Sequence, residues 1–167
     1  MKQQIIVSGT GGQGILFLTR FFAEAAMMMG LEVITSEIHG MAMRGGTVLS
    51  HVKVGSFKSP LVREGQADTG LILNLQNLAL HKPFVKPGGL IFVNTDTPGD
   101  YLSVDAAGIA LKAGLSAATN LVFLGYVARR NGLFCDSETA RQVLKRLSPR
   151  VLLESNLKGF DLGLATG

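Results

Sequence analysis

The feature that most constrains the fold is a glycine-rich segment, Gly9-Thr-Gly-Gly-Gln-Gly14, that joins an apolar run to a long helical pattern. The run predicts a buried strand over residues 2–8. The pattern predicts a helix over residues 13–29, which Gly30 would end as a C-terminal glycine. Glycines in such a loop permit positive φ and let another group approach the backbone. Free N–H groups at the helix start favour a phosphate or a carboxylate there.

A second glycine-rich segment, Ser36-Glu-Ile-His-Gly-Met-Ala-Met-Arg-Gly-Gly46, follows the next predicted strand, residues 31–36. Ligands and partners of open α/β folds bind where parallel strands end, so we expect the two segments to meet there. Arg44 could clamp a carboxylate or phosphate through paired N–H groups, and Met41 offers an adaptable apolar contact. The apolar character of the segment favours an interface over a mobile loop.

The first segment also has the spacing of a dinucleotide-binding loop. Gly9, Gly11 and Gly14 match the fingerprint between a strand and a helix, and Glu37 would hold a ribose hydroxyl. Gln13 can present its amide to a ligand or to a partner backbone. Tight packing of strand against helix, with no ligand, is an equal alternative. The candidate binding residues are Gly9, Gly11, Gly12, Gln13, Gly14, Glu37, Met41, Arg44, Gly45 and Gly46.

Strands and helices alternate along the chain, which predicts a single α/β domain over residues 1–167. The expected fold is Rossmann-like, with a doubly wound, mostly parallel sheet and helices on both faces. The pair Gly55-Ser56 predicts a β-hairpin insertion between strands over residues 47–54 and 58–62. The other predicted elements are strands over residues 68–74, 90–93 and 101–104, helices that Asp105 and Asp136 would cap, and helices over residues 75–81, 120–131 and 149–157.

Composition and charge exclude several classes of protein. Only 17% of residues are charged and 47% are hydrophobic, so we expect an assembly to cover part of the surface. The net charge of +4 is dispersed without interleaved aromatic residues, so no nucleic-acid partner is predicted. No apolar stretch approaches the length of a membrane span, so no membrane partner is predicted either. The basic residues Arg141, Lys145, Arg146 and Arg150 are interpreted as a solvated helix face.

No self-contained active site is visible, and neither a catalytic residue nor a metal ligand is predicted. His39, His51 and His81 lack metal-site spacing; only His39 lies in a promising loop, and the other two are interpreted as structural. Cys135, beside Asp136, could have a lowered pKa at a helix start, although core filling is more typical. A single cysteine excludes internal disulfides and an iron–sulfur cluster held by this chain, and we expect a cytoplasmic protein.

The two glycine-rich segments and Asn156-Leu-Lys-Gly-Phe160 together resemble the gamma subunit of 2-oxoacid:ferredoxin oxidoreductases, a family with pyruvate, 2-oxoglutarate, 2-oxoisovalerate and indolepyruvate types. The resemblance covers nearly the whole chain. It implies a subunit of an enzyme that decarboxylates a 2-oxoacid on thiamine diphosphate and forms an acyl-CoA. Electrons would pass through iron–sulfur clusters to ferredoxin. Alpha and beta subunits, with a ferredoxin-like delta subunit as a further candidate, would carry these cofactors.

The resemblance leaves the role of this chain open between interface and ligand contact. Because the helix start after Gly14 and the Arg44 guanidinium suit a phosphate-bearing ligand, coenzyme A is a hypothesis, and the isolated chain is expected to be inactive. The alternatives are a free-standing NAD(P)-dependent Rossmann oxidoreductase and a CoA- or nucleotide-sensing module. Lys158-Gly159 stands where the family usually has an alanine before the phenylalanine, which predicts looser packing of the C-terminal helix, with Gly159 and Phe160 placed beyond its end.

Overall fold

The structure, a computed structural model, describes residues 1–40 and 46–167. Its strands are β1 (Gln3–Thr10), β2 (Val33–His39), β3 (Thr47–Val54), β4 (Ala67–Ile72), β5 (Val85–Asn94) and β6 (Leu102–Val104). They form one six-stranded sheet in the order β2-β3-β1-β4-β5-β6. β1, β4, β5 and β6 run parallel, as predicted, whereas β3 is antiparallel to both β1 and β2. The sheet is therefore a parallel block extended on one side by an antiparallel pair.

Local sequence signals mark the start of two helices and the end of another. The helices are α1 (Ile15–Met28), α2 (Leu78–His81), α3 (Ala106–Lys112), α4 (Thr119–Arg129), α5 (Ser137–Leu147) and α6 (Leu153–Ala165). Asp105 and Asp136 cap α3 and α5, since the carboxylate of each accepts the N–H three residues on, at 2.8 and 2.7 Å. Gly30 follows α1 with φ of 70°, as a C-terminal glycine should. No helix in the described part of the chain is long and apolar enough to cross a bilayer.

The core lies in two layers, one on each face of the sheet. Alternate strand residues such as Val7 and Leu71 face a large layer built from α1 and α3 to α6. Their neighbours Ile6 and Ile72 face a thinner layer that includes Leu78 of α2. Helices thus cover both faces, as predicted, but they are concentrated on one.

The hairpin predicted at Gly55-Ser56 does not form, because residues 58–62 are not a strand. β3 already pairs with β1 on one side and β2 on the other, which leaves no edge for a further strand. The antiparallel hairpin is instead the β2–β3 pair. Val62 packs over the thin layer, where its N–H donates to His51 Nδ1 at 3.0 Å.

The C-terminal helix is longer and more tightly packed than predicted. Gly159 and Phe160 lie inside α6 and Phe160 is fully buried, so the predictions of a shorter helix and of looser packing are wrong. Glycines bring α6 against α4: a Cβ added at Gly163 would lie 2.0 Å from the carbonyl oxygen of Val122. Missing side chains therefore let the two backbones touch.

Candidate functional site: the glycine loop and its cavity

The glycine loop, residues 10–14, leaves the end of β1 and leads into α1. Gln13 holds it in place: its Oε1 accepts the N–H of Thr10 at 2.7 Å, and its Nε2 donates to the carbonyl of Leu73 at 3.2 Å. Leu73 directly follows β4, so this amide ties the loop to the neighbouring parallel strand. Gln13 thus uses its amide oxygen and one N–H in hydrogen bonds to its own chain, whereas the sequence analysis assigned the amide to a ligand or to a partner backbone.

Gly14 sets the direction in which α1 begins. It has a left-handed backbone with φ of 81°, and no side chain among the described residues caps the helix. A Cβ at Gly14 would lie 2.3 Å from Asn120 Nδ2 of α4. Because the first N–H groups of a helix lack partners within it, the start of α1 presents free donors beside Asn120.

A cavity of about 360 Å³ opens beside the glycine loop. Its lining includes Gly12 and Gly14 of the loop, Asn94 of β5 and Asn120 of α4. The side-chain amide of Asn94 already has partners within the protein, because it donates to the Leu73 carbonyl and accepts the Ala106 N–H. Asn120 is only 8% exposed and makes no hydrogen bond to a described residue. Its amide lines the cavity and is not among the fully buried side-chain atoms that lack a partner, so a polar ligand in the cavity could reach it.

Asn120 escaped the sequence analysis because it sits in a helical segment that is apolar on most faces. The signal that could have indicated a binding role was one polar residue directly before the apolar run Leu121, Val122 and Phe123. Asn120 lies beside Gly14, which is 106 residues away in sequence. Only the packing of α4 against the glycine loop brings them together.

The two glycine-rich segments meet, as predicted. The N–H of Gly11 donates to the carbonyl of Gly46 at 3.1 Å, and that of Gly40 donates to Thr47 at 2.6 Å. The antiparallel pairing of β1 with β3 brings them together, rather than a purely parallel sheet. The predicted site residues Met41, Arg44 and Gly45 lie outside the described residues.

Glu37 and Gly9, two residues predicted to bind a dinucleotide, do not lie in the environment that such a site requires. Glu37 is exposed on β2, and β3 separates that strand from β1, so two strand spacings of roughly 10 Å intervene. Its charged neighbour is His39, with Nε2 3.9 Å from the carboxylate. Gly9 allows close packing, since a Cβ there would lie 2.6 Å from Ile15 Cδ1. This topology does not bring an acidic residue to the glycine loop in the dinucleotide-binding manner.

The buried histidines are structural. Ser8 Oγ lies 2.5 Å from His81 Nδ1, and His51 Nδ1 accepts the Val62 N–H. Burial lowers the pKa of both imidazoles below the ordinary value, mainly because the charged form would lose its solvation. Both side chains are therefore neutral at physiological pH. Among the residues with a described position, no three His, Cys, Asp or Glu side chains converge as a metal site would require.

Cys135 is the reverse of a reactive thiol. Burial, with a smaller effect from the Asp136 charge, raises its pKa to about 11. The lowered pKa considered from the sequence is therefore wrong, because the side chain packs against the core instead of facing the start of α5. The basic face of α5 is solvated in part only: Arg141 pairs with Asp161 and Arg146 with Glu24, each at 2.9 Å.

Comparison with known proteins identifies the family. The model of the pyruvate ferredoxin/flavodoxin oxidoreductase family matches residues 4–166. The chain belongs to this family. It is 31% identical to the indolepyruvate oxidoreductase subunit IorB of Archaeoglobus fulgidus, over 98% of this chain and 94% of that protein.

Solved structures agree with this assignment. The gamma subunit of a keto/oxoacid ferredoxin oxidoreductase from Geobacter sulfurreducens has a TM-score of 0.77 at 27% identity, with 98% of this chain and 99% of that one covered. The 2-oxoglutarate:ferredoxin oxidoreductase of Magnetococcus marinus, solved with 2-oxoglutarate, coenzyme A and succinyl-CoA bound, shares the fold at a TM-score of 0.78. That match has 24% identity and covers 98% of this chain and 30% of the other.

The resemblance seen in the sequence is thus confirmed: the chain is a gamma subunit of a 2-oxoacid:ferredoxin oxidoreductase. The alternative of a free-standing NAD(P)-dependent oxidoreductase is not supported. The relatives of this chain named above are subunits of oxidoreductases. In addition, Glu37 lies away from the glycine loop, so it cannot act as the acidic residue of a dinucleotide site.

Proposed function

We propose that this gamma subunit contributes its glycine loop and the adjoining cavity to the coenzyme A site of the assembled oxidoreductase. The observation that carries the proposal is the meeting, at one cavity, of the uncapped start of α1 with the amide of Asn120, which makes no hydrogen bond to a described residue. A helix start that offers free N–H groups is a ready anion site, and coenzyme A carries phosphates. The cavity of about 360 Å³ would take one part of that ligand, such as a phosphate group.

The loop residues divide the work of binding. Gly12 and Gly14 keep side chains out of the ligand's path, while Gln13 fixes the loop against the end of β4. Asn120 donates or accepts a hydrogen bond at the cavity wall. Arg44 would add a bidentate contact to a phosphate, a role that rests on its place in the sequence. The Magnetococcus marinus enzyme, which shares this fold, was solved with coenzyme A bound.

The redox chemistry belongs to companion chains. An iron–sulfur cluster takes about four thiolates, and this chain has one cysteine, whose raised pKa disfavours the ligating thiolate. Alpha and beta subunits, with a ferredoxin-like delta subunit as a further candidate, hold thiamine diphosphate and the clusters in this proposal, and ferredoxin accepts the electrons. The gamma subunit supplies binding surface, is inactive alone, and works in the cytoplasm.

Steady-state kinetics of the assembled complex test the coenzyme A proposal. In Asn120→Ala and in Arg44→Ala we expect the KM for coenzyme A to rise about tenfold, as the loss of one hydrogen bond to a charged group predicts. The KM for the 2-oxoacid should stay unchanged, because that substrate reacts on the cofactor of another subunit. Gln142→Ala removes an exposed amide of α5 and serves as the matched control. An unchanged KM for coenzyme A in both site variants contradicts the proposal.

A further inference from the structure

The end of the sheet opposite the glycine loop holds a second cavity, of about 440 Å³. Gln4, at the start of β1, and Lys53, at the end of β3, contribute to its wall. Lys58 and Arg63 line it from the segment that crosses the thin face of the sheet. Three cationic side chains therefore face one cavity, which shares no residue with the cavity beside the glycine loop.

Lys53 is the unusual member of this group because it is 8% exposed. It lies in a strand paired on both sides, opposite Gln4 of β1 and Ile34 of β2. Burial, and then the charge of Arg63, lower the pKa of its amine. A lysine so placed is normally paired with an acid.

The described acidic side chains do not neutralise the cavity. Among the described residues, no carboxylate lies within 4.0 Å of the charged atoms of Lys53, Lys58 or Arg63. Asp68, which accepts the N–H of Gln4 at 2.7 Å, is already paired with Lys86. The cations of the cavity thus share a region of uncompensated positive charge.

An aromatic ring compensates part of this charge. The amine of Lys53 lies 5.1 Å from the centre of the Phe57 ring, and the amine of Lys2 lies 5.1 Å from the same centre. A ring shared by two cations attracts each less than a carboxylate would, and it brings a further positive charge to this end of the sheet. The ring therefore compensates the positive charge only in part.

We infer that this cavity binds a small multivalent anion of the phosphate-ester or polycarboxylate class. Its volume suits a small molecule, and three cations around one cavity do not make the extended basic track that a nucleic acid requires. Buried Lys53 and the forked guanidinium of Arg63 would contact the anion together, and exposed Lys58 would close over it. The site lies at the far end of the sheet from the coenzyme A surface, so the two sites are independent.

Titration calorimetry on the full chain near neutral pH tests this inference, with pyrophosphate and citrate as the two probes. At least one of them should bind saturably to a single site, and which one binds more tightly decides between phosphate and carboxylate chemistry. Lys53→Met and Arg63→Gln should each weaken binding about tenfold or more. Lys112→Met, at an exposed lysine of α3, is the matched control and should leave the affinity unchanged.

Arg63 is exposed, so Arg63→Gln keeps the test informative even if Lys53→Met does not fold. The absence of saturable binding by both probes overturns the inference. So does binding that Asn120→Ala abolishes while Arg63→Gln leaves it intact, because the anion would then occupy the glycine-loop cavity. That second outcome would leave the coenzyme A proposal standing, so the two proposals fail separately.

Discussion

At the residue scale, Gly14 combines a left-handed backbone with a close approach to Asn120. We expect Gly14→Ala to lower the free energy of unfolding by about 2–4 kcal/mol, since it adds overpacking to backbone strain. Gly12 has φ of 91° with open space around its Cβ position, so Gly12→Ala should cost only the strain, about 1 kcal/mol. Urea unfolding of both variants measures the difference.

The contact itself can be isolated with a second substitution. Asn120→Ala should recover the excess cost of Gly14→Ala over Gly12→Ala, because it removes the side chain that the new methyl group meets. Equal costs for the two glycine variants would contradict the packing described for this loop.

His51 and His81 make stability depend on pH. Their folded pKa values lie below the ordinary 6.5, so the unfolded chain takes up protons that the folded chain refuses as the pH falls below about 6.5. The free energy of unfolding should therefore decrease on acidification, by at most about 1.4 kcal/mol per pH unit for each histidine. Urea unfolding between neutral pH and about pH 5 measures this slope.

Histidine variants assign the slope. His51→Gln and His81→Gln should each reduce it, whereas His39→Gln, at an exposed site, should leave it unchanged. If the slope of the buried-site variants equals that of the unsubstituted protein, other groups cause the acid sensitivity.

Cys135 should react slowly in the folded protein. With a pKa raised to about 11, its thiol is protonated near pH 8, and only the thiolate reacts with alkylating reagents. Iodoacetamide labelling followed by mass spectrometry should show slow modification of the native chain and fast modification in urea. Rapid native labelling near pH 8 would show that the thiol is exposed and ionised.

At the scale of elements, the α4–α6 pair depends on glycines that let the backbones touch. A Cβ at Gly163 would lie 2.0 Å from the Val122 carbonyl oxygen, so Gly163→Ala should cost about 3 kcal/mol or more, despite the better helix propensity of alanine. At Gly159 the nearest atom, Ala118 Cβ, would be 3.0 Å away, so Gly159→Ala should cost less. Thermal unfolding ranks the two, and the reverse order would contradict this packing.

The sequence predicted the elements whose signals are local. Asp105 and Asp136 cap the helices that follow them, and Gly30 ends α1, because a cap needs only its own few neighbours. The prediction of a hairpin at Gly55 was wrong because strand pairing depends on residues far apart in sequence, and β3 pairs with β1 and β2. A turn signal alone did not reveal that both edges of β3 were occupied.

The candidate site was predicted in part for the same reason. The glycine spacing located the loop and its helix start, and the structure joins it to Gly46. Glu37 matched the fingerprint by its distance along the chain, but an antiparallel strand lies between β2 and β1. Asn120 and Lys53 carried no motif. Each is largely buried and lines a cavity, which only the packed chain reveals.

At the scale of the whole molecule, the two proposed binding surfaces are cavities at opposite ends of one sheet. The glycine loop lies where β1 and β4 end, and the cationic cavity lies near where β1 begins. Exposed apolar side chains such as Leu16 and Ile38, near the glycine-loop end, suit coverage by companion subunits. This arrangement fits a gamma subunit that completes a site in an assembled enzyme.

Hydrogen exchange on the assembled oxidoreductase, with and without coenzyme A, tests that claim most directly. We expect coenzyme A to slow exchange at the N–H groups of residues 14–17, because these are the donors without an intrahelical partner at the start of α1. Residues 61–66, at the opposite end of the sheet, provide the internal comparison and should exchange at an unchanged rate. If exchange at residues 14–17 is the same with and without coenzyme A, in a complex that turns over at saturating coenzyme A, the glycine loop is not part of the coenzyme A site.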